Sequence, residues 1–206
     1  MDNKTKISTQ LKPYLPEGFS EMIASLVLEV PVKFKIVRPR NSKLGDFRAG
    51  RKGYAHQITI NGDLNPYAFL VTTLHEFAHL KAHEKYGSII QAHGEEWKQC
   101  FRSLLLPAID SKLLPIDITN QLVRSLTNMK ASSCSDLPLL RVLKSYDLKK
   151  DDVIFLENLP KNTTFVLGGK LYIKGELRRK RFICKHLANN KEYLIHTLAE
   201  VHPHIE

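Results

Sequence analysis

The chain has 206 residues, of which 43% are hydrophobic and 25% charged, and it carries a formal net charge of +10. This composition is that of an ordinary globular protein. No apolar run approaches the roughly 18 residues that a membrane-spanning helix needs, and the polar N-terminus does not resemble a secretory signal. We therefore expect a cytoplasmic protein without a membrane partner.

The cysteines support the same location. Cys100, Cys134 and Cys184 are far apart in the sequence and form no C-x-x-C pair. An odd number of widely spaced cysteines argues against a disulfide framework and favours a reducing compartment. We interpret all three as buried thiols.

The positive charge is concentrated in two segments. Residues 31–52 contain eight basic side chains, the last of them Lys52, against one acid, Asp46, and a second cluster spans residues 174–185. Localised basic charge favours nucleic acid or another acidic partner, so we expect DNA binding. The candidate nucleic-acid contacts are Lys33, Lys35, Arg48, Arg178, Arg179, Lys180 and Arg181. Near the second cluster, Tyr172 and Phe182 either stack on unpaired bases or face the interior of a solvated hairpin.

The first half of the chain alternates short strands with a long helix. An amphipathic segment over residues 19–30 precedes three predicted strands, over 32–39, 44–50 and 54–61. Asn65 before Pro66 predicts a helix start, and Gly87 predicts its end. Apolar or small residues surround this helix almost completely, so we expect it to be central and buried.

The second half predicts three shorter helices and then a change to β structure. The helices are expected over residues 95–106, where Pro107 ends the first, 118–129 and 138–146. From Asp151 onward, short β-type runs are separated by turns, which predicts a boundary near 147–152. The prediction is an α+β fold with a domain at 1–110, a helical connector at 111–150 and a β-rich basic module at 151–206.

The segment T-L-H-E-F-A-H-L, within the long helix, carries the clearest chemical signal. His75 and His79 are four residues apart, so they project from one helix face and can chelate a single zinc ion. Glu76 lies about 100° around the helix from His75, where its carboxylate can reach a water molecule at the metal without being a ligand. Two unpaired imidazoles in a buried helix would be costly, which favours the zinc interpretation.

A catalytic zinc site needs a third protein ligand and an open fourth position. His83 continues the four-residue spacing but lies a further turn, roughly 6 Å, along the helix axis. His93 is the better candidate, because it follows a turn and precedes Gly94, which allows close backbone approach. Glu95 and Glu96 remain alternative ligands. We expect Trp97 to pack in the core.

H-E-F-A-H followed by A-H-G-x-x-W resembles the SprT-like family of zinc metallopeptidases, which includes the Spartan proteases. The resemblance covers residues 11–106. It implies a small zincin-like protease domain with a three-stranded sheet. It also implies that His75, His79 and His93 are ligands of one zinc ion and that Glu76 is the catalytic acid/base. The family acts on proteins bound or crosslinked to DNA.

The C-terminal segment departs from the family pattern. Bacterial members usually carry a zinc ribbon with paired C-x-x-C knuckles, whereas this segment keeps only Cys184. Four thiolates cannot be assembled from one cysteine, so we expect a ribbon-like β module without structural zinc. We interpret the four remaining histidines of this segment as ordinary surface residues: His186, His196, His202 and His204.

Two functions are consistent with these features. The first is a zinc endopeptidase acting on DNA-associated or DNA-crosslinked proteins, whose strand over residues 54–61 pairs with an extended protein substrate. The second is a zinc-stabilised nucleic-acid-binding protein without turnover. Structural zinc sites are normally closed by four protein ligands, so a three-ligand set with a neighbouring glutamate favours the enzyme. Tyr54, His56 and the arginines of the basic segment are candidates for stabilising the oxyanion.

Overall fold

A computed structural model describes residues 2–40, 42–51, 53–127, 136–148 and 153–204. Cys134, Lys52 and the predicted end of the 118–129 helix lie outside these residues, as does most of the predicted boundary. The chain divides into two compact units, Met1–Asp147 and Leu148–Glu206. The first combines helices with a three-stranded sheet and the second contains a six-stranded sheet, so the α+β class is confirmed.

The first unit begins with two helices and a small sheet. Helices α1 (Asn3–Leu11) and α2 (Ser20–Glu29) precede strands β1 (Val32–Val37), β2 (Gly45–Arg48) and β3 (His56–Asn61). The order across the sheet is β1-β3-β2, with β1 parallel and β2 antiparallel to β3. Strand β3 is therefore central. The expectation that the 54–61 strand offers an open edge to a substrate is wrong, because both of its edges are paired within the sheet.

Four further helices complete the first unit: α3 (Pro66–Tyr86), α4 (Glu95–Asp110), α5 (Ile116–Thr127) and α6 (Leu137–Lys144). Helix α3 begins as predicted, with Asn65 accepting hydrogen bonds from two backbone N–H groups of the first turn. It ends before Gly87, whose φ of 79° is a conformation that favours glycine. Its side chains are buried on nearly every side, which confirms the prediction of a central helix.

Helix α4 does not end at Pro107, as the sequence predicts, but continues to Asp110. Proline removes one backbone hydrogen bond, which shortens many helices. Here Leu104, Leu105 and Ala108 form a buried stripe that continues past the proline, so packing against the core favours the longer helix. Helices α5 and α6 add further apolar side chains to this same core, among them Leu122 and Leu143.

The second unit contains strands β4 (Ile154–Phe155), β5 (Thr164–Leu167), β6 (Lys170–Arg178), β7 (Arg181–His186), β8 (Glu192–His196) and β9 (Glu200–Pro203). They form one sheet in the order β4-β9-β5-β6-β7-β8. A small apolar core includes Phe165, Cys184 and Val201, each fully buried. The likeness of this unit to a zinc ribbon stays a prediction. None of the helices in the described parts of the chain combines the length and hydrophobicity needed to cross a bilayer.

Candidate metal centre

Three imidazole rings converge beside helix α3. His75 and His79 lie on one face of the helix, and His93 comes from the loop before α4. The Nε2 atoms are 3.2 Å apart for His75 and His79, 3.0 Å for His79 and His93, and 3.1 Å for His75 and His93. One nitrogen of each ring therefore points toward a common centre, and this set can hold one metal ion.

The backbone around His93 is shaped to bring its ring to the helix. His93 has a φ of 61°, a left-handed conformation that costs a non-glycine residue on the order of 1 kcal/mol. The next residue, Gly94, donates its backbone N–H to the carbonyl of Gln91 at 2.8 Å. A Cβ at Gly94 would lie 2.9 Å from that same carbonyl oxygen, so the turn needs glycine at this position.

Burial keeps the three imidazoles neutral. It lowers the pKa of His75 to about 3, with repulsion from the two neighbouring histidines adding to the effect. Burial, followed by repulsion from His93, lowers the pKa of His79 to about 4. The pKa of His93 is also lowered by burial. Neutral imidazole is the form that binds metal ions, so the rings are ready for a ligand role at neutral pH.

Trp97 packs against all three imidazole rings. Its own ring centroid lies 4.7 Å from those of His75 and His93 and 5.3 Å from that of His79. Trp97 is 1% exposed, which confirms that it packs in the core. The contact of Trp97 with all three imidazoles was not predicted from the sequence. The four-residue spacing between His93, just before α4, and Trp97, in its first turn, is the signal that could have indicated it.

Glu76 is buried beside the centre, in contact with strand β2. Glu76 is 7% exposed, and its Oε1 atom lies against the backbone of Gly45 on that strand. Burial, followed by repulsion from the nearby Asp46 carboxylate, raises the pKa of Glu76 to about 7. A carboxyl group with a pKa near neutrality can both accept and donate a proton at physiological pH.

An open cleft of about 460 Å³ leads to the centre from solvent. Strand β2 and the loop before it form one wall, helix α3 forms the floor, and the His93 loop forms the other wall. Its lining residues include Lys43, Gly45, Phe47, Thr72, His75, Glu76, His79 and His93. The cleft therefore gives a molecule in solution access to both Glu76 and the imidazole nitrogens.

Comparison with known proteins finds SprT proteins that are similar to part of this chain. Protein SprT of Pseudomonas putida strain GB-1 is 35% identical over an alignment of 98 residues, and the match covers 44% of this chain and 60% of that protein. Protein SprT of Pseudomonas entomophila and that of Pseudomonas fluorescens are each 33% identical over the same shares. The chain is SprT-like over the matched segment.

The resemblance to the SprT-like family is thus confirmed, and the chain spans about 60% of the length of the SprT proteins that it matches. No family model matches the chain. No solved structure matches it either.

We call the first unit, Met1–Asp147, the SprT-like unit. The other metal ligands that the sequence suggested in this unit do not converge with His75, His79 and His93. Glu95 is exposed and pairs with Lys98 at 3.5 Å, and neither Glu95 nor Glu96 belongs to the group that includes His75. His83 lies instead in a second group, with His56 and Glu84.

The second histidine group is poorly suited to a metal. Nδ1 of His56 accepts a hydrogen bond from the backbone N–H of Gly50 at 3.1 Å, so the ring proton lies on Nε2. That Nε2–H points at the Glu84 carboxylate, 3.0 Å away. A neutral imidazole with this arrangement has no lone pair left for a cation. The ring of Phe47 separates His56 from the metal centre, with its centroid 5.8 Å from His56 and 6.4 Å from His79.

The predicted nucleic-acid contacts fall into both units. Arg178, Arg179 and Arg181 are exposed at the tip of the β6–β7 hairpin, with Lys180 between them. In the SprT-like unit, Lys33 and Lys35 are exposed on β1, and Arg48 donates to Asp46 at 2.8 Å. The structure gathers the first set at one hairpin tip and leaves the second set spread over two strands.

The two aromatic side chains proposed for base stacking face the interior of the second unit. Tyr172 is 8% exposed and its ring stacks on Phe165, with centroids 5.7 Å apart. Phe182 packs against the same core, and the Lys174 ammonium group lies 4.0 Å from the centre of its ring. The stacking interpretation is therefore wrong, and the alternative of inward-facing aromatics is confirmed.

Proposed function

We propose that this chain is a zinc-dependent endopeptidase acting on DNA-associated or DNA-crosslinked proteins, built on a zincin-like domain. The observation that carries the proposal is the convergence of three neutral imidazole nitrogens beside a buried glutamate. The resemblance to SprT proteins supports it.

Zinc fits the donor set. A tetrahedral zinc ion with nitrogen ligands at about 2.0–2.1 Å separates those nitrogens by about 3.3 Å. The observed Nε2 separations of 3.0–3.2 Å are within a few tenths of an ångström of that value. Three protein nitrogens leave the fourth position of the tetrahedron for a reacting molecule, as in catalytic zinc sites. Bound zinc would supply a Lewis acid that polarises the scissile carbonyl and makes water more acidic.

Glu76 provides the proton transfer in this mechanism. Its carboxylate takes a proton from the attacking water and later donates it to the leaving amine nitrogen. Burial in the cleft limits exchange of this proton with bulk water.

In this proposal an extended protein substrate pairs with strand β2, and not with the strand over residues 54–61. Strand β2 is an edge strand of the sheet, paired only with β3 among the described residues, and it lines the cleft. An extended peptide can add to such an edge through main-chain hydrogen bonds. This would lay a protein substrate along the cleft, with its carbonyl groups near the metal centre.

DNA is the partner that the charge distribution supports. The net charge of +10 and the exposed arginines of the β6–β7 hairpin favour contacts with phosphates. We propose that the second unit contributes DNA binding and that the first unit cleaves the protein held on the DNA.

Cleavage of a DNA-bound protein tests the function. Purified chain loaded with zinc should cleave a labelled histone bound to DNA, and should cleave the same histone and labelled casein more slowly without DNA. A chelator should stop the reaction, and added zinc should restore it. Zinc and DNA binding without cleavage of any of these proteins would favour the alternative, a zinc-stabilised nucleic-acid-binding protein.

A further inference from the structure

Strand β2 approaches helix α3 unusually closely where it passes Glu76. Gly45 and Phe47 are two residues apart on the strand, so both face the helix. The Phe47 ring lies parallel to the His79 imidazole, with an angle of 3° between the ring planes. Gly45 lies opposite Glu76 and presents no side chain to it.

The space at Gly45 is already filled by its neighbours. A Cβ added there would lie 2.6 Å from Oε1 of Glu76, 2.7 Å from its Cγ and 2.8 Å from Cγ2 of Thr72. All three distances are shorter than the 3.0 Å that real Cβ contacts reach. The described glycines with positive φ do not include Gly45, so its backbone conformation is open to any residue. Glycine is needed here for room and not for its backbone freedom.

The strand has no freedom to retreat from the helix. Gly45 pairs with Ile60 and Phe47 with Ile58 in the β2–β3 register, and both isoleucines are fully buried. A side chain at position 45 would therefore displace Glu76 and leave the strand in place.

We propose that Gly45 is a positioning residue for Glu76: its missing side chain leaves the space beside β2 that the Glu76 carboxylate occupies at the cleft. This rests on the proposed role of Glu76 as acid/base for its catalytic consequence. The steric relation between the two residues stands on the structure alone.

Stability measurements test that relation without any activity. Gly45→Ala should lower the Tm of the chain by about 5 °C, the usual size of an overpacking effect in a chain of this length. In a Glu76→Ala background, where Oε1 and Cγ are absent, the same substitution should lower Tm by less than half as much. In a Thr72→Ser background, which lacks Cγ2 of Thr72, the Tm loss caused by Gly45→Ala measures the part of the steric clash that is due to that atom.

Gly62→Ala is the matched control for the cycle. Its Cβ would also meet a side-chain atom closely, Cγ2 of Ile36 at 2.9 Å, and its φ is likewise not positive. Gly62→Ala should lower Tm equally with and without Glu76. Equal Tm losses for Gly45→Ala in both backgrounds would overturn the proposal.

The catalytic consequence is a change in kcat with little change in KM. Misplacing a reacting group by about 1 Å costs up to about 100-fold, so Gly45→Ala should lower kcat for labelled casein by at least about tenfold. Zinc content should stay at one ion per chain, because the atoms nearest to the added Cβ belong to Glu76 and Thr72 and not to an imidazole. Gly62→Ala should keep the wild-type kcat. A wild-type kcat in Gly45→Ala would overturn the positioning role. Inactivity of the wild type would instead refute the proposed function, and the Tm cycle would still decide the steric relation.

Discussion

In the SprT-like unit, helix α3 buries His75 and Glu76 side by side, whereas in the second unit strand β6 buries a lysine, Lys174, at 4% exposure. The Lys174 ammonium group donates to the carbonyls of Leu159 and Glu157 and lies over the Phe182 ring. By contrast, Nδ1 of His75 has no hydrogen-bond partner among the described residues.

This difference separates two uses of a buried polar group. The Lys174 ammonium group is paired with carbonyls of the segment between β4 and β5, so its charge connects strand β6 to that segment. The Nε2 atoms of His75, His79 and His93 converge within 3.2 Å of one another at a cleft open to solvent, so their lone pairs are available to a ligand. Buried polar groups that are fully paired indicate structure, and those that converge without pairing indicate chemistry. The predictions below test that contrast.

The largest effect is expected for Glu76→Gln. The amide cannot accept the proton from water, so cleavage of a DNA-bound protein should fall by about 10³-fold. Zinc content should not change, because Glu76 is not one of the three converging residues. Steady-state kinetics and metal analysis of the same preparation measure both quantities.

Glu84→Gln is the matched control, since it removes a carboxylate from the same helix that contacts His56 and not the metal centre. It should keep nearly full activity. Retained proteolysis in Glu76→Gln would contradict the mechanism and leave the buried glutamate with a structural role.

The next largest effect is expected for His93→Ala. Loss of a supporting contact around a zinc site typically costs about 10–100-fold in affinity, so loss of a ligand should exceed about 100-fold. Zinc titration with a competing chelator measures this. His83→Ala removes a neighbouring histidine from the same helix and should leave the zinc affinity unchanged. Equal losses in the two variants would show that the convergence of His93 on the helix is not the basis of binding.

Lys174→Met should destabilise the second unit by about 1–3 kcal/mol. Methionine fills a similar volume but leaves the carbonyls of Leu159 and Glu157 without a donor. Denaturant unfolding followed by a signal from the second unit measures the loss. Lys185→Met changes an exposed lysine on the adjacent strand and should cost less than about 0.5 kcal/mol.

The stabilities of the wild type and of Lys174→Met should depend differently on pH. Burial lowers the pKa of Lys174 below its ordinary value of 10.5. Between the lowered pKa and 10.5 the unfolded chain binds more protons than the folded chain, so stability rises with pH across this alkaline window. The wild type should therefore gain stability relative to Lys174→Met as the pH approaches 10.5. A difference between the two proteins that does not change with pH would contradict the assignment of a buried, charged lysine.

Local signals made parts of the first unit predictable. The Asn65-Pro66 cap and Gly87 fixed both ends of α3, and the four-residue spacing of His75 and His79 placed their rings on one face. These features depend on neighbours in the sequence. Helix α1 was not predicted, although Asp2 caps it by accepting a hydrogen bond from Thr5 at 2.7 Å.

Features that depend on pairing between distant segments were not predictable. The parallel pairing of β1 with β3 makes β3 central and β2 the edge, and alternation of side chains within each strand carries no information on that order. The contact of Gly45 with Glu76 follows from the same pairing. Pro107 likewise reads as a helix end until the buried stripe that continues past it is known.

The smallest effect is expected for the basic hairpin, and it decides which unit binds DNA. Replacing Arg178, Arg179 and Arg181 with glutamine removes three exposed charges from one hairpin tip. If these residues contact phosphates, affinity for duplex DNA should fall about tenfold at low salt. The slope of log affinity against log salt should decrease by up to about 0.9 per lost contact. Fluorescence anisotropy with a labelled duplex across a salt series measures both.

The matched variant removes three charges from the SprT-like unit, by replacing Lys33, Lys35 and Arg48 with glutamine. Arg48 is already paired with Asp46 at 2.8 Å, so this set offers fewer charges to phosphates and should change the salt slope by less. A larger change in the salt slope for this variant would assign DNA binding to the SprT-like unit. Phosphate contacts and the metal centre would then share one unit, and the second unit would be left with its buried Lys174 and no demonstrated partner.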